Sequence, residues 1–177
     1  RVADSVMKHN GHAGHEWVAA ALNQFEGRLL RYAQRITGDP HRARDVVQET
    51  FLKLCREQPT AIDGHLAQWL YTVCRNQAID VRRKESRMTA IAEPTLDDTR
   101  SEEPTPARTA EDRDDVARIL DHLGDLTDNQ QECIRLKFQH GLSYREIAAV
   151  TNLTPTNVGF LIHTGLKKLR EHLNRDE

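Results

Sequence analysis

The sequence predicts an all-α protein: two small helical domains joined by an acidic, proline-containing linker, the second domain a helix-turn-helix. Three observations carry this. Apolar residues recur at helical spacing through most of the 177 residues, and nowhere alternate with period two for long enough to build a sheet. Between Met88 and Asp115 the composition changes. Pro94, Pro104 and Pro106 interrupt any helix there, and nine carboxylates from Glu93 to Asp115 repel one another, the mark of an extended tether. Finally, Leu126 to Leu173 divides into three capped helices at two strong punctuation points. The expected boundaries are a disordered tail at 1–15, an N-terminal domain at 16–88, the linker at 89–114 and a C-terminal domain at 115–174.

In the tail, His9, His12 and His15 recur every three residues, a spacing that on a helix would cluster imidazoles for a metal. Gly11 and Gly14 oppose a helix, and no cysteine or carboxylate completes a ligand set, so no metal or other cofactor is expected. From Glu16 an amphipathic stripe of Val18, Leu22, Phe25, Leu29, Tyr32 or Ala33, and Ile36 predicts the first helix, ended by Gly38. Asp39 then caps and Pro40 starts a second helix to about Glu57, with Val47, Phe51 and Leu54 inward. A loop with Pro59 leads to a long helix from about Leu66 to Arg87, burying Leu66, Leu70, Val73, Ala78 and Val81. Its carboxyl half is basic: Arg75, Arg82, Arg83, Lys84 and Arg87 face only Asp80 and Glu85, and Trp69 and Tyr71 stand at its amino end. Guanidinium groups with stacking surfaces suit melted or single-stranded DNA, although a plain solvated face has the same composition.

In the last domain, Thr127 or Asp128 caps a helix that Gly141 stops. Ser143 and Glu146 form a capping box on a short helix. Asn152 is the turn residue, because it tolerates positive φ, and Thr154 with Pro155 opens the longest of the three helices. This is the order of a helix-turn-helix, whose second helix lies in the DNA major groove. Ile147, Ala148, Leu153, Val158, Ile162, Leu166 and Leu169 make the shared core, leaving Thr156, Asn157, Phe160, His163, Thr164 and Lys167 outward.

A net charge of -2 excludes coating of nucleic acid by bulk attraction, so binding rests on local patches or on a larger partner. Cys55, Cys74 and Cys133 stand singly in helical stretches and read as core residues in a reducing compartment. With no apolar run of about 20 residues and no signal-peptide order, the expectation is a cytoplasmic protein without membrane insertion. No phosphate loop, paired metal ligands or nucleophile elbow argues for an enzyme.

Three segments in order, YAQRITGDPHRARDVVQETFLKL (Tyr32 to Leu54), WLYTVCRNQAIDVRRKESR (Trp69 to Arg87) and LSYREIAAVTNLTPTNV, resemble the extracytoplasmic-function, or group IV, sigma factors of bacterial RNA polymerase. The resemblance implies a non-enzymatic, alternative promoter-specificity subunit whose partners are core RNA polymerase and promoter DNA. It places core-polymerase docking on Asp45, Gln48, Glu49 and Lys53. Capture of the opened minus-10 element falls to Asp63, His65, Trp69, Arg75, Asn76, Asp80, Arg82, Arg83 and Lys84, with a base flipped beside the loop. Minus-35 reading falls to Arg145, Thr156, Asn157, Phe160, His163 and Lys167.

Two departures from the family pattern matter. The docking helix usually carries an acidic cluster before its Q-E-T-F-like run, where this chain has Arg42-Ala43-Arg44-Asp45, a charge-reversed patch facing a basic partner surface. Phosphorylation of Thr50, within two turns of Arg44, would restore negative charge, making a Ser/Thr protein kinase one regulatory partner to test and an anti-sigma factor the other. Second, Gly159, Phe160 and Leu161 stand where the family often has a Lys-Ser-Arg-like run, which leaves readout to Asn157 and an apolar ring and phosphate anchoring to Lys167, Lys168 and Arg145. The competing reading is a stand-alone helix-turn-helix regulator that binds duplex DNA as a dimer; a helical adaptor without DNA contact is a third.

Overall fold

The structure is a computed structural model that describes the backbone of residues 3–89 and 123–173 and the side chains of 16–88 and 123–172. Seven helices and no strand occur among the described residues. They fall into two compact units, within Arg1–Glu103 and Pro104–Glu177. The expected linker lies almost wholly outside the described residues, and so do the side chains of His9, His12 and His15.

In the first unit α1 spans Ala3–Thr37 and α2 spans Pro40–Leu54. The helical backbone therefore begins well before Glu16, where the sequence reading expects a disordered tail. Gly11 and Gly14 each cost a helix about 1 kcal/mol relative to alanine, a penalty but no prohibition. At the α1–α2 corner Gly38 takes φ 72°. The Asp39 carboxylate accepts the Arg42 and His41 amides at 3.0 and 2.7 Å, and the Arg42 bond leads in holding its carboxyl below the usual carboxylate range. A one-turn helix not anticipated from sequence, α3 (Pro59–Ile62), seats Ile62 in the core. Then α4 runs Leu66–Thr89.

Helices α1, α2 and α4 pack pairwise into a three-helix bundle. Phe25, Leu29 and Ala33 meet Val47, Phe51 and Leu54, with Leu70, Cys74 and Ala78 from the third side. Each buried valine, leucine or phenylalanine among them contributes about 1.5–3 kcal/mol. Polar groups also belong to this core, those of Tyr71 and Thr50 among them. Tyr71 is wholly buried with its ring edge-on to Tyr32 at 5.2 Å, so it offers no stacking surface to DNA, against the sequence reading. Burial raises its hydroxyl pKa well above the phenol range. Thr50 is 0% exposed and donates its hydroxyl to the Val46 carbonyl at 2.8 Å.

In the second unit α5 spans Asp128–Phe138, α6 Tyr144–Thr151 and α7 Pro155–Leu173. Thr127 caps α5 with Gln130 in a capping box, and Ser143 caps α6 with Glu146 in another. Gly141 has φ 74° and Asn152 φ 59°, the left-handed turns the sequence calls for. Helix α7 crosses α5 at Gly165, where a Cβ would stand 2.7 Å from Ile134 Cδ1. Beside that crossing the Gln130 amide donates to Thr164 Oγ1 at 3.0 Å, so Thr164 is half-buried and ties the two helices together, contrary to its expected outward role.

Candidate nucleic-acid interface

On α7 the residues Thr156, Asn157, Phe160, His163 and Lys167 are all exposed, opposite the buried Val158, Ile162 and Leu169. Their spacing of three and four puts them on one face, and Arg145 is exposed at the start of α6. Thr154 Oγ1 accepts the Asn157 amide at 3.2 Å, which fixes the first turn of the helix. Phe160 is 64% exposed, an apolar ring held out at the centre of this face. Sequence reasoning missed Tyr144. It is 42% exposed, lies against the Cα of Gly159 where a Cβ would stand 3.5 Å from its ring, and has Lys137 Nζ 5.4 Å from its ring centroid. The signal was available: glycine in place of a long cation on α7 leaves room for the aromatic that follows the Ser143 cap.

On the first unit the loop after α3 turns at Gly64, φ 78°, leaving Asp63 and His65 exposed. His65 Nδ1 lies 3.2 Å from the Asp63 carbonyl oxygen and donates to it in the Nδ1–H tautomer. The basic residues of α4 do not share one face. At about 100° per residue, Trp69, Asn76, Asp80 and Arg83 form one outward stripe. Trp69 is half-buried and the other three are exposed. Arg75 and Arg82 fall on the stripe of Tyr71, toward α1. Lys84 turns the other way and lines a groove of about 380 Å³ between α2 and α4 with Arg42, Asp45, Glu49, Gln77 and Glu85.

The outward face of α2 carries Asp45, Gln48 and Glu49 exposed, with Lys53 half-buried at its margin. At its centre stands Leu52, 48% exposed and absent from the sequence-based set although it lies seven residues after Asp45 on the same stripe. Two expectations fail here. Arg42 and Arg44 form no common patch: they sit on opposite margins of this face, and Arg42 is ion-paired with Glu85 of α4. And Thr50 points into the core, so a kinase has no access to its hydroxyl in the folded domain.

Among the described residues no group of His, Cys, Asp and Glu could hold a metal ion, and no helix is long and apolar enough to cross a membrane. A capped helix-turn-helix in one unit and a three-helix bundle with basic residues along α4 in the other define a DNA-binding class of protein. Sigma-70 region 2 matches residues 22–88 and Sigma-70 region 4 matches residues 117–169. The chain belongs to the sigma-70 family of RNA polymerase sigma factors, in its extracytoplasmic-function group, and acts as an alternative sigma factor in transcription initiation. It is 31% identical to the RNA polymerase sigma factor CarQ of Myxococcus xanthus, over 89% of this chain and 93% of that protein. It is 34% identical to SigL of Mycobacterium tuberculosis, over 85% of each. With SigE of Mycolicibacterium smegmatis the identity is 30% and the chain spans 60% of that protein's length. Among solved structures, CnrH in complex with the cytosolic domain of CnrY aligns with a TM-score of 0.55 at 27% identity, over 99% of this chain and 96% of that one. The fold also matches the sigma factor RpoE of Bartonella quintana, with a TM-score of 0.70 at 22% identity over 90% of this chain and 98% of that one.

Proposed function

We propose that the two units divide promoter recognition between them in the cytoplasm, with α7 reading the duplex minus-35 element and the loop before α4 capturing the opened minus-10 strand. The observation that carries this is the single exposed face formed by Thr156, Asn157, Phe160, His163 and Lys167 on a capped helix-turn-helix. Asn157 presents an amide suited to adenine, and Phe160 a ring suited to a thymine methyl. Arg145 and Lys167 hold phosphates at the edges. In the other unit Asp63 and His65 frame a flipped base, Trp69 and Asn76 flank it, and Arg83 anchors the strand beside Asp80. Core polymerase docks on Asp45, Gln48, Glu49 and Lys53, with Leu52 as the apolar centre of the contact.

Regulation falls to a protein partner that covers one of these faces, an anti-sigma factor, since Thr50 is enclosed in the core. The neighbour CnrH, solved in complex with the cytosolic domain of CnrY, supports regulation by a protein partner. The test is transcription in vitro by core polymerase from a supercoiled library of randomised promoters, with the wild-type chain and with alanine at Asn157 and Phe160. The expected outcome is one enriched two-part promoter, with preference lost only at the minus-35 part in the variants. Footprinting of a duplex site by the chain alone would overturn it in favour of a stand-alone regulator.

A further inference from the structure

We propose that α1 continues the single-stranded DNA surface of α4, with Arg28 and Arg31 holding phosphates of the displaced promoter strand across the α1–α4 seam. The proposal rests on the promoter-opening role of α4 given above. Arg28 and Arg31 are exposed and three residues apart, hence on one side of α1. That side faces α4: Arg28 lies one turn before Tyr32, whose ring meets Tyr71 at 5.2 Å. The charges of Arg28 and Arg31 oppose the upward shift that burial gives the Tyr71 hydroxyl, in keeping with their place on this side of α1. Across the seam, Arg75 and Arg82 continue the Tyr71 stripe at four and eleven residues beyond it.

Both stripes are free of carboxylates, at positions 24, 28, 31 and 35 of α1 and 68, 71, 75, 78 and 82 of α4. In a chain of net charge -2, that makes the seam a local cationic track. Arg75 and Arg82 lie about 100° around α4 from Asn76 and Arg83, so a strand leaving that face toward α1 meets them next. The seam lies on the side of the bundle away from α2, because the three helices pack pairwise. A polymerase docked on the Leu52 face therefore leaves it open to DNA. Its occupant is a flexible polyanion leaving the minus-10 pocket, and single-stranded DNA fits that description where a rigid duplex does not.

The experiment uses holoenzyme made with the full chain and a fork DNA, single-stranded through the minus-10 region, copied from a template that wild-type holoenzyme selects out of a randomised supercoiled pool. Binding is measured across a salt series for the wild type, for Arg28→Gln with Arg31→Gln, and for Arg28→Lys with Arg31→Lys. Core-polymerase affinity is measured in parallel by competition. Loss of two single-strand phosphate contacts lowers the slope of log K against log salt by about 1.4, at roughly 0.7 per contact. The expected result is that shallower slope in the glutamine variant, a wild-type slope in the lysine variant and unchanged core affinity in both. A wild-type slope in the glutamine variant overturns the proposal and leaves the promoter-opening role standing. Weakened core affinity with an unchanged slope overturns it in favour of a protein partner on the seam. If wild-type holoenzyme selects no template, the promoter-opening role fails and takes the proposal with it.

Discussion

Thr50 gives its hydroxyl proton to the carbonyl of Val46, 2.8 Å away, one turn back on α2 and inside a core where Thr50 is 0% exposed. The donor is thus satisfied within its own helix, and a charge at this position would lie among Phe51, Leu54 and Cys74. Thr50→Val keeps the shape and loses the bond to Val46 and the contact with the Cys74 thiol, so it is expected to cost about 1–2 kcal/mol. Thr50→Glu buries an unpaired carboxylate and is expected to cost about 3 kcal/mol or more, read as a drop in the urea midpoint. Incubation of folded protein with Ser/Thr kinases should leave position 50 unmodified by mass spectrometry. A stoichiometric phosphate there with the thermal transition intact would contradict the buried placement.

Leu52 supplies a separable test of the docking proposed for the outward face of α2. At 48% exposure it adds little to the core, so Leu52→Asp should leave the melting temperature within a degree or two. At the centre of an interface the same change should cost about 2 kcal/mol or more of core-polymerase affinity, roughly thirtyfold. Competition for core polymerase against a labelled wild-type chain reads this directly. Arg42→Ala serves as the contrast, since the half-exposed pair with Glu85 should be worth less than about 1 kcal/mol to the fold.

These two residues show what the sequence made legible and what it did not. Capping chemistry is local, so Ser143 with Glu146, Asn152 and Gly141 could be placed from residue type alone, and each adopts the expected geometry. The apolar spacing of α7 likewise indicated which of its residues lie outward, Thr164 excepted, since its hydroxyl accepts from Gln130 and is half-buried. Thr50 and Tyr71 misled, because polarity suggests exposure while each can lie in a core: Thr50 bonds its own backbone and Tyr71 packs edge-on to Tyr32. Leu52 was passed over for the mirror-image reason, an apolar residue facing outward. The arginines of α2 looked like one patch because they are close in sequence, and only the turn of the helix separates them.

Phe160 should carry specificity without carrying stability. It is 64% exposed, so Phe160→Ala is expected to shift the unfolding free energy by no more than about 0.5 kcal/mol. If its ring meets a thymine methyl, discrimination at one minus-35 position falls by about 1–3 kcal/mol while the other positions keep theirs. Sequencing of promoters selected by wild-type and variant holoenzyme checks this. Uniform weakening across all positions would mean that the ring acts only through packing or phosphate approach.

The buried Cys74 predicts both reactivity and pH dependence. Burial pushes its thiol up to about 12 from the ordinary 9.0, with a hydrogen bond to Thr50 opposing the shift in part. The unfolded chain therefore releases this proton before the folded one does. Its contribution is fully present below pH 9.0 and is lost as pH rises toward about 12, with a slope of about 1.4 kcal/mol per pH unit. Denaturant unfolding at pH 8, 9 and 9.8 should show the decline, and Cys74→Ala should flatten it there, whereas the further decline above pH 10.0 belongs to the buried Tyr71. Under native conditions a maleimide should label the exposed Cys55 and leave Cys74 and Cys133 unlabelled until the protein is unfolded.

The turn between α6 and α7 sets the position of α7 and can be loosened without touching the exposed face proposed to read DNA. Asn152 sits at φ 59° and ψ 36°, a conformation that a β-branched residue adopts only under strain. Asn152→Val should cost about 1–2 kcal/mol, whereas Asn152→Gly should be close to neutral. Ser143→Ala removes the cap that accepts the Glu146 amide at 3.3 Å, at an expected cost of about 1 kcal/mol. Each substitution leaves Thr156, Asn157, Phe160 and His163 chemically intact. Weakened minus-35 recognition in Asn152→Val, with the pattern of base preference unchanged, would therefore report on the placement of α7. Unaltered binding despite the lost stability would show that DNA contact itself restores the turn.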